Sequence, residues 1–181
     1  MLEMPIPIPR TLKERAVINL KCRNDVEFRK AAKDQFMHDP IFAFNTFFFT
    51  FDPRPTAPNP DLPFLLEPFQ EDLVKRYLRA IDNKEDVLVE KSRDMGVTWI
   101  SLGTILWLWM TRPGFQALIG SYTEKLVWNN ALDSHFGKLE YLISHLPGWL
   151  VPTGFSFKRH FHKLLLIHPG MGGESALAGN S

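Results

Sequence analysis

The residues from Val87 to Trp99, VLVEKSRDMGVTW, constrain this chain more than any other stretch. The apolar triplet Val87 to Val89 lies between Asp86 and Glu90 and predicts a short strand over 86–90. A polar, glycine-bearing segment follows. The apolar run from Trp99 to Met110, WISLGTILWLWM, then predicts a helix from Val97 to about Met110, ended by the turn over 111–114. A strand that passes through a glycine directly into a helix aims the helix's unbonded N–H groups and positive dipole end at whatever fills the loop. That environment suits an anion.

The rest of the chain reads as an alternation of helices and strands. Residues 24–37 place Val26, Phe28, Ala31, Ala32 and Phe36 at helical spacing, with Asn24 or Asp25 as N-cap and Pro40 just beyond the end. The phenylalanines from Phe42 to Phe51 read as core. Asp52 to Pro63 holds five prolines in twelve residues, which suits an extended connection and neither a helix nor an interior strand. Pro68 opens a second helix, in which Phe69, Leu73, Tyr77 and Ile81 recur every fourth residue. Downstream, residues 115–121 predict a buried strand and residues 124–146 a long helix stopped by Pro147. Two strands near 154–160 and 162–168 predict a hairpin. This order implies parallel α/β units.

Within the loop, Lys91 to Thr98 (KSRDMGVT) matches part of the phosphate-binding pattern G-x-x-x-x-G-K-[ST]. Gly96 stands at the second glycine and Thr98 at the magnesium-binding hydroxyl. Lys91 replaces the first glycine and Val97 the usual lysine. A glycine followed by a hydroxyl residue at a helix entry is common and by itself carries little. The informative feature is that a lysine is present but displaced to Lys91, where its long side chain still reaches toward β and γ phosphates.

This arrangement resembles the large terminase subunits of tailed bacteriophages, the motors that package DNA into capsids, whose phosphate loop often reads KSRxxGxT. The resemblance extends upstream through HDPIFAFNTFFFTFDPRP from His38 and LPFLLEPFQEDLV from Leu62, and downstream through ALIGS at 117–121 and GGESALAGNS at 172–181. It covers most of the chain from about residue 24. It implies an α/β fold with a P-loop NTPase-type parallel sheet flanked by helices, incomplete at its C-terminal side. Residues 1–66 would form an N-terminal helical segment and Pro-rich linker packing on the core, and 67–181 the N-terminal part of the ATPase domain.

The resemblance also implies roles for residues. Gln70, preceded by Pro68 and Phe69 and 21 residues before Lys91, matches the glutamine that reads the adenine edge of ATP. Lys91 would neutralise phosphate charge, Ser92, Asp94, Met95, Gly96 and Val97 would complete the cradle, and Thr98 would hold Mg²⁺. Arg93 matches an arginine that offsets charge on the transferred phosphoryl group, a role worth on the order of 10³ to 10⁵ in rate in related ATPases. The alternative for Arg93 is a solvated loop residue. Implied partners are double-stranded viral DNA, a portal protein, a small terminase subunit and further copies of the chain in a ring, in the host cytoplasm and transiently on the procapsid.

Hydrolysis also needs an aspartate at the end of an apolar strand to hold Mg²⁺. Leu164 to Ile167 is apolar enough but ends in His168 and Pro169, and Glu90 follows the strand that feeds the loop. The acidic strand, and a nuclease after it, are expected beyond Ser181, so the chain reads as part of a longer protein that turns over ATP poorly alone. Two other readings stand beside this one. A helicase-like ATPase shares the upstream glutamine but generally keeps GK[ST]. A non-catalytic docking module would carry a degenerate loop.

Charge and composition exclude some classes. With 21 Lys and Arg against 20 Asp and Glu, the chain has no global electrostatic footprint for nucleic acid, so any such contact is local. The single cysteine, Cys22, cannot form an intramolecular disulfide, which suits a reducing compartment. No apolar run approaches the roughly 20 residues of a membrane helix, and the first residues do not read as a secretory signal. No membrane partner is expected. His160 and His162 alternate as if on one strand face, but they lack a third ligand and read as a solvated hairpin, beside Lys158, Arg159 and Lys163.

Overall fold

The computed structural model describes residues 5–52, 54, 59–170 and 175–180. It is mixed α/β and divides into two compact units, residues 1–101 and 102–181. No helix among the described residues is long and apolar enough to cross a membrane.

The first unit opens with three helices separated by single aspartates: α1 (Leu12–Asn24), α2 (Val26–His38) and α3 (Pro40–Phe47). Asp25 and Asp39 both adopt extended backbone, φ −124° and −126°. Each closes the helix before it with its N–H, to Lys21 O and Gln35 O, and caps the next with Oδ1, accepting from Phe28 N and Phe42 N at 3.0 Å. Sequence predicted α2 with Asn24 or Asp25 as its cap, and Asp25 is the residue that caps it. The sequence reading missed α1, where Thr11 and Glu14 form a capping box, and it took the third helix only as an apolar run.

Phe36, Phe42, Phe44, Phe47 and Phe48 are fully buried here and meet edge to face, with centroids 4.9 to 6.2 Å apart. The expected phenylalanine core is therefore present. Into it reaches Arg15, 4% exposed. Its guanidinium donates to the carbonyls of Phe44, Asn45 and Phe48 at 3.3, 2.9 and 2.8 Å. These carbonyls lie at the C-terminal end of α3, where the helix dipole favours a cation. Burial pushes the guanidinium down to about 9. The fork of donors and the dipole work against that desolvation.

The antiparallel pair β1 (Phe49–Phe51) and β2 (Asp61–Pro63) brackets the Pro-rich connection. Residues 53 and 55–58 of that connection lie outside the described residues. The predicted second helix is α4 (Pro68–Asn83), with Pro68 at its start. Its buried residues are Gln70, Glu71, Val74 and Ala80, while Phe69 and Ile81 of the apolar stripe are exposed. Polar partners decide which face turns inward: Glu71 pairs with Arg10, and Gln70 is bound at both ends of its amide.

The helix α5 (Val97–Thr111) forms as predicted. In the second unit, β3 (Gln116–Gly120) also forms, though only Ile119 of it is buried and Leu118 is 67% exposed, so the expected buried strand is corrected to a largely exposed one. It is followed by α6 (Glu124–Val127), α7 (His135–Ser144), α8 (Phe157–His160), β4 (Phe161–His162), β5 (Leu165–Ile167) and β6 (Ala176–Asn180). The sheet order is β3-β6-β5-β4; β3 and β6 are parallel and the other pairs antiparallel. The expected parallel sheet is thus, among the described strands, a mixed one with a single parallel pair.

Two further expectations need correction. The predicted helix over 124–146 breaks at 128–134. Asn130 is left-handed (φ 59°), Asn129 Oδ1 accepts from Ala131 N, and Ser134 recaps the chain by accepting from Gly137 N at 3.1 Å. Gly137 is required there because a Cβ would run into the Ala131 carbonyl. The predicted strand over 154–160 is instead a helical turn, because Ser156 O accepts from both Arg159 N and His160 N. The hairpin survives as β4 and β5, joined through Leu164 at φ 60°.

Replacing Arg15 by alanine should cost about 3 kcal/mol, since three carbonyls and a core void are left behind. Arg15→Lys should recover part of this, because an ammonium cannot reproduce the fork. Urea unfolding of the two variants measures both losses. A loss below about 0.5 kcal/mol for alanine would mean that this buried cation does not hold the helices together.

Candidate phosphate-binding loop

The loop over 91–96 joins an irregular segment to the start of α5. Its backbone alternates in the sign of φ: Asp94 is left-handed at 62°, Met95 is not, and Gly96 is left-handed again at 71°. Alternation of this kind turns successive N–H groups toward one side and makes a concavity for anions. It runs directly into α5, whose first N–H groups, like those of any helix, have no acceptor within the helix.

Gln70 fixes the loop from α4. Its Oε1 accepts from Glu67 N at 3.0 Å, completing the capping box, and its Nε2 donates to Met95 O at 3.2 Å. A Cβ on Gly96 would lie 3.2 Å from that same Nε2. Gly96 is therefore favoured by its left-handed φ, and a side chain there would also crowd the Gln70 amide. An amide has two lone pairs and two N–H groups, so these bonds leave one of each on Gln70. The residue is 9% exposed.

A second tie lies one helical repeat along α4. Tyr77 OH and Ser101 Oγ are 3.0 Å apart, and Ser101 Oγ donates to Val97 O at 2.9 Å. With the serine proton committed to Val97, the tyrosine is the donor. Both ends of the loop-to-helix segment are thus held by one face of α4. The sequence reading missed Tyr77 and Ser101, although Tyr77, seven residues after Gln70, falls on the same helical face.

The other candidate residues are distributed as follows. Lys91, Ser92, Arg93, Asp94 and Thr98 are exposed, and Met95, Gly96 and Val97 half-buried. Among the described residues Lys91 and Arg93 have no ion-pair or hydrogen-bond partner, which leaves both charges available. Thr98 is exposed in the first turn of α5. Phe69, 46% exposed, stands beside Gln70 at the start of α4. Asp94, a carboxylate within the loop, opposes an anion. Arg54, missed by the sequence reading, is engaged elsewhere: its guanidinium clasps both oxygens of Asp52, and that hydrogen-bonded pairing, with a smaller contribution from the charge of Asp94, raises its pKa above the ordinary value.

The predicted strand over 86–90 does not form. Residues 85–92 are irregular, Val87 and Val89 are half-buried, and Leu88 is 98% exposed. Three apolar residues flanked by carboxylates cannot hold a strand without a neighbour to bond, and neither sheet includes them.

The residues present fit a polyphosphate better than a metal. Backbone N–H groups and two available cations suit phosphate. For Mg²⁺ only the Thr98 hydroxyl is in place, and no group of three or more His, Cys, Asp or Glu among the described residues is gathered to hold an ion. Mg²⁺ commonly takes much of its coordination from substrate phosphates and water, so one hydroxyl is compatible with that mode. Elsewhere, His168 ends β5 buried against Trp109, with centroids 4.9 Å apart. Burial, with His160 in support, lowers its pKa. His160 accepts from Ser156 N and His162 donates to Arg159 O, so each imidazole is engaged with local backbone.

Gly96→Ala should destabilise the protein by about 1–2 kcal/mol, the usual cost of a left-handed non-glycine residue. Gly96→Asn should cost less. Thermal unfolding of the pair separates backbone strain from the clash with Gln70, and a neutral alanine would mean that the left-handed turn is not maintained. No protein-family model matches this chain, and no curated protein matches it.

Proposed function

We propose that residues 91–98 bind the phosphates of ATP and that the chain is part of a DNA-packaging motor of the large terminase type. The observation that carries the reading is the alternating backbone at Asp94, Met95 and Gly96, opening onto α5 and pinned by Gln70. Lys91 and Arg93 supply mobile positive charge to the β and γ phosphates, and Thr98 supplies a hydroxyl to Mg²⁺. Phe69 and the unspent donor and acceptor of Gln70 face the adenine. Because Gln70 also holds Met95, base and phosphate recognition are mechanically joined.

The P-loop NTPase type of fold belongs to the same proposal. The parallel pairing of β3 with β6 supports it; the irregular backbone of 86–90 does not. In the full motor the partners are double-stranded viral DNA, a portal protein, a small terminase subunit and further copies in a ring, in the host cytoplasm. A second reading, a docking module with a degenerate loop, draws on one observation, the near-complete exposure of Leu88.

Calorimetric titration with a non-hydrolysable ATP analogue and Mg²⁺ distinguishes the two. The packaging reading expects binding, weakened about tenfold or more by Lys91→Ala with the melting temperature unchanged. Unaltered affinity in that variant would remove the charge role of Lys91. Calorimetric silence in the unaltered protein would favour the docking module.

A further inference from the structure

A groove of about 800 Å³ runs beside α1 in the first unit. Residues 5–9, Pro-Ile-Pro-Ile-Pro, form one wall, and α1 with Phe28 of α2 forms the other. Proline fixes its own φ and keeps the residue before it out of helix, so the first wall is extended. That wall is held from α2 and α3. The Gln35 amide accepts from Ile6 N and donates to Ile6 O, both at 2.7 Å, and Asn45 Nδ2 donates to Pro9 O at 2.9 Å. From α1 the groove takes Lys13, Val17 and Lys21, spaced i, i+4 and i+8, so an apolar side chain stands between two cations. Along the helix axis the lysines are about 12 Å apart. Both are exposed, as is Val17 at 46%, and neither lysine has an ion-pair partner among the described residues. The one carboxylate among the described lining residues is Glu14, whose Oε2 accepts from Arg10 N and Thr11 N at 2.7 and 3.2 Å. The groove is therefore apolar in the middle and positive toward both ends.

The same unit carries a segment of the opposite character. Asp86, Leu88 and Glu90 are exposed, Leu88 by 98%, whereas Val87 and Val89 between them are half-buried. Burial thus alternates with the period of a strand and leaves an acidic, apolar, acidic face outward. Neither carboxylate has a hydrogen-bond or ion-pair partner among the described residues, and neither sheet takes up the segment. None of residues 86–90 lines the groove of its own chain. In an extended strand, residues 86 and 90 would stand about 13 Å apart, which matches the spacing of the two lysines.

We infer that residues 86–90 of one copy dock in the α1 groove of a second copy, with Asp86 and Glu90 on Lys13 and Lys21 and Leu88 on the apolar floor at Val17. Charge complementarity selects this occupant: the groove lacks an anion at each end, and the segment lacks a cation at each end. The two patches differ, so the contact is head-to-tail and continues past a dimer into a ring or filament. It stands whether or not residues 91–98 bind ATP.

Sedimentation velocity of the full chain from about 5 to 500 μM tests this, a range suited to a small interface. The unaltered chain should associate past a dimer as concentration rises, and less so as salt is raised from about 50 to 500 mM. Lys13→Glu with Lys21→Glu, and separately Asp86→Lys with Glu90→Lys, should each raise the concentration needed for association at least about tenfold. Mixing the two charge-reversed variants should restore association, because each then meets a matching groove and a matching segment; this rescue also shows that both have folded. Leu88→Ser should weaken association about tenfold with the melting temperature unchanged. Lys91→Ala should leave association as it is, which keeps this outcome separate from that of the phosphate loop. A monomer throughout the range, unaltered association in either charge-reversed variant, or a mixture that stays monomeric would each overturn the inference.

Discussion

The side-chain amide of Gln70 carries more of the first unit's organisation than any other single group. One end completes the first turn of α4 and the other holds the carbonyl of Met95, in the middle of the loop. The loop contains a left-handed aspartate and a left-handed glycine two residues apart, a conformation that L-residues avoid unless the surroundings impose it. Tyr77, acting through Ser101 on Val97 O, applies the same constraint one helical repeat further on. α4 therefore sets the shape of the segment, and that shape is what the proposed anion site rests on. The aromatic core and buried Arg15 give α4 a rigid layer to stand on: Asn45 Oδ1 accepts from Leu66 N, just before α4 begins.

Much of this was legible in the sequence where a local rule has no competitor. A helical period after Asn24 and Asp25, Pro68 at a helix start and the apolar run of α5 each specify a helix, and each helix forms where expected. What sequence missed depends on which of two local signals wins. Asn129 and Asn130 interrupt a helical period that otherwise runs on, because a left-handed asparagine and a serine cap end one helix and start another. The segment 86–90 has the composition of a strand, but strand formation is not local: it requires a neighbour to bond, and composition cannot name one.

The same contrast holds at the candidate site. Gly96, Lys91 and Thr98 could be read directly, since a glycine, a cation and a hydroxyl declare their chemistry by type. The tie from Gln70 to Met95, and the placement of Arg54 against Asp52 with its charge reaching Asp94, are tertiary facts with no sequence spacing to announce them. They also alter the physical picture. Gln70 holds the loop in place as well as being a candidate base reader, and Asp94 puts a carboxylate into the proposed anion site while Arg54 is engaged by Asp52.

The central claim is that backbone N–H groups of this loop face an anion, and amide NMR reads it directly. When inorganic tripolyphosphate is added to the isotopically labelled chain, the largest shifts should fall on the amides of Asp94 through Trp99, with a smaller response at the Gln70 side-chain amide. Saturation at one site would support the account. No shift in those amides, or shifts confined to exposed lysines across the surface, would contradict it.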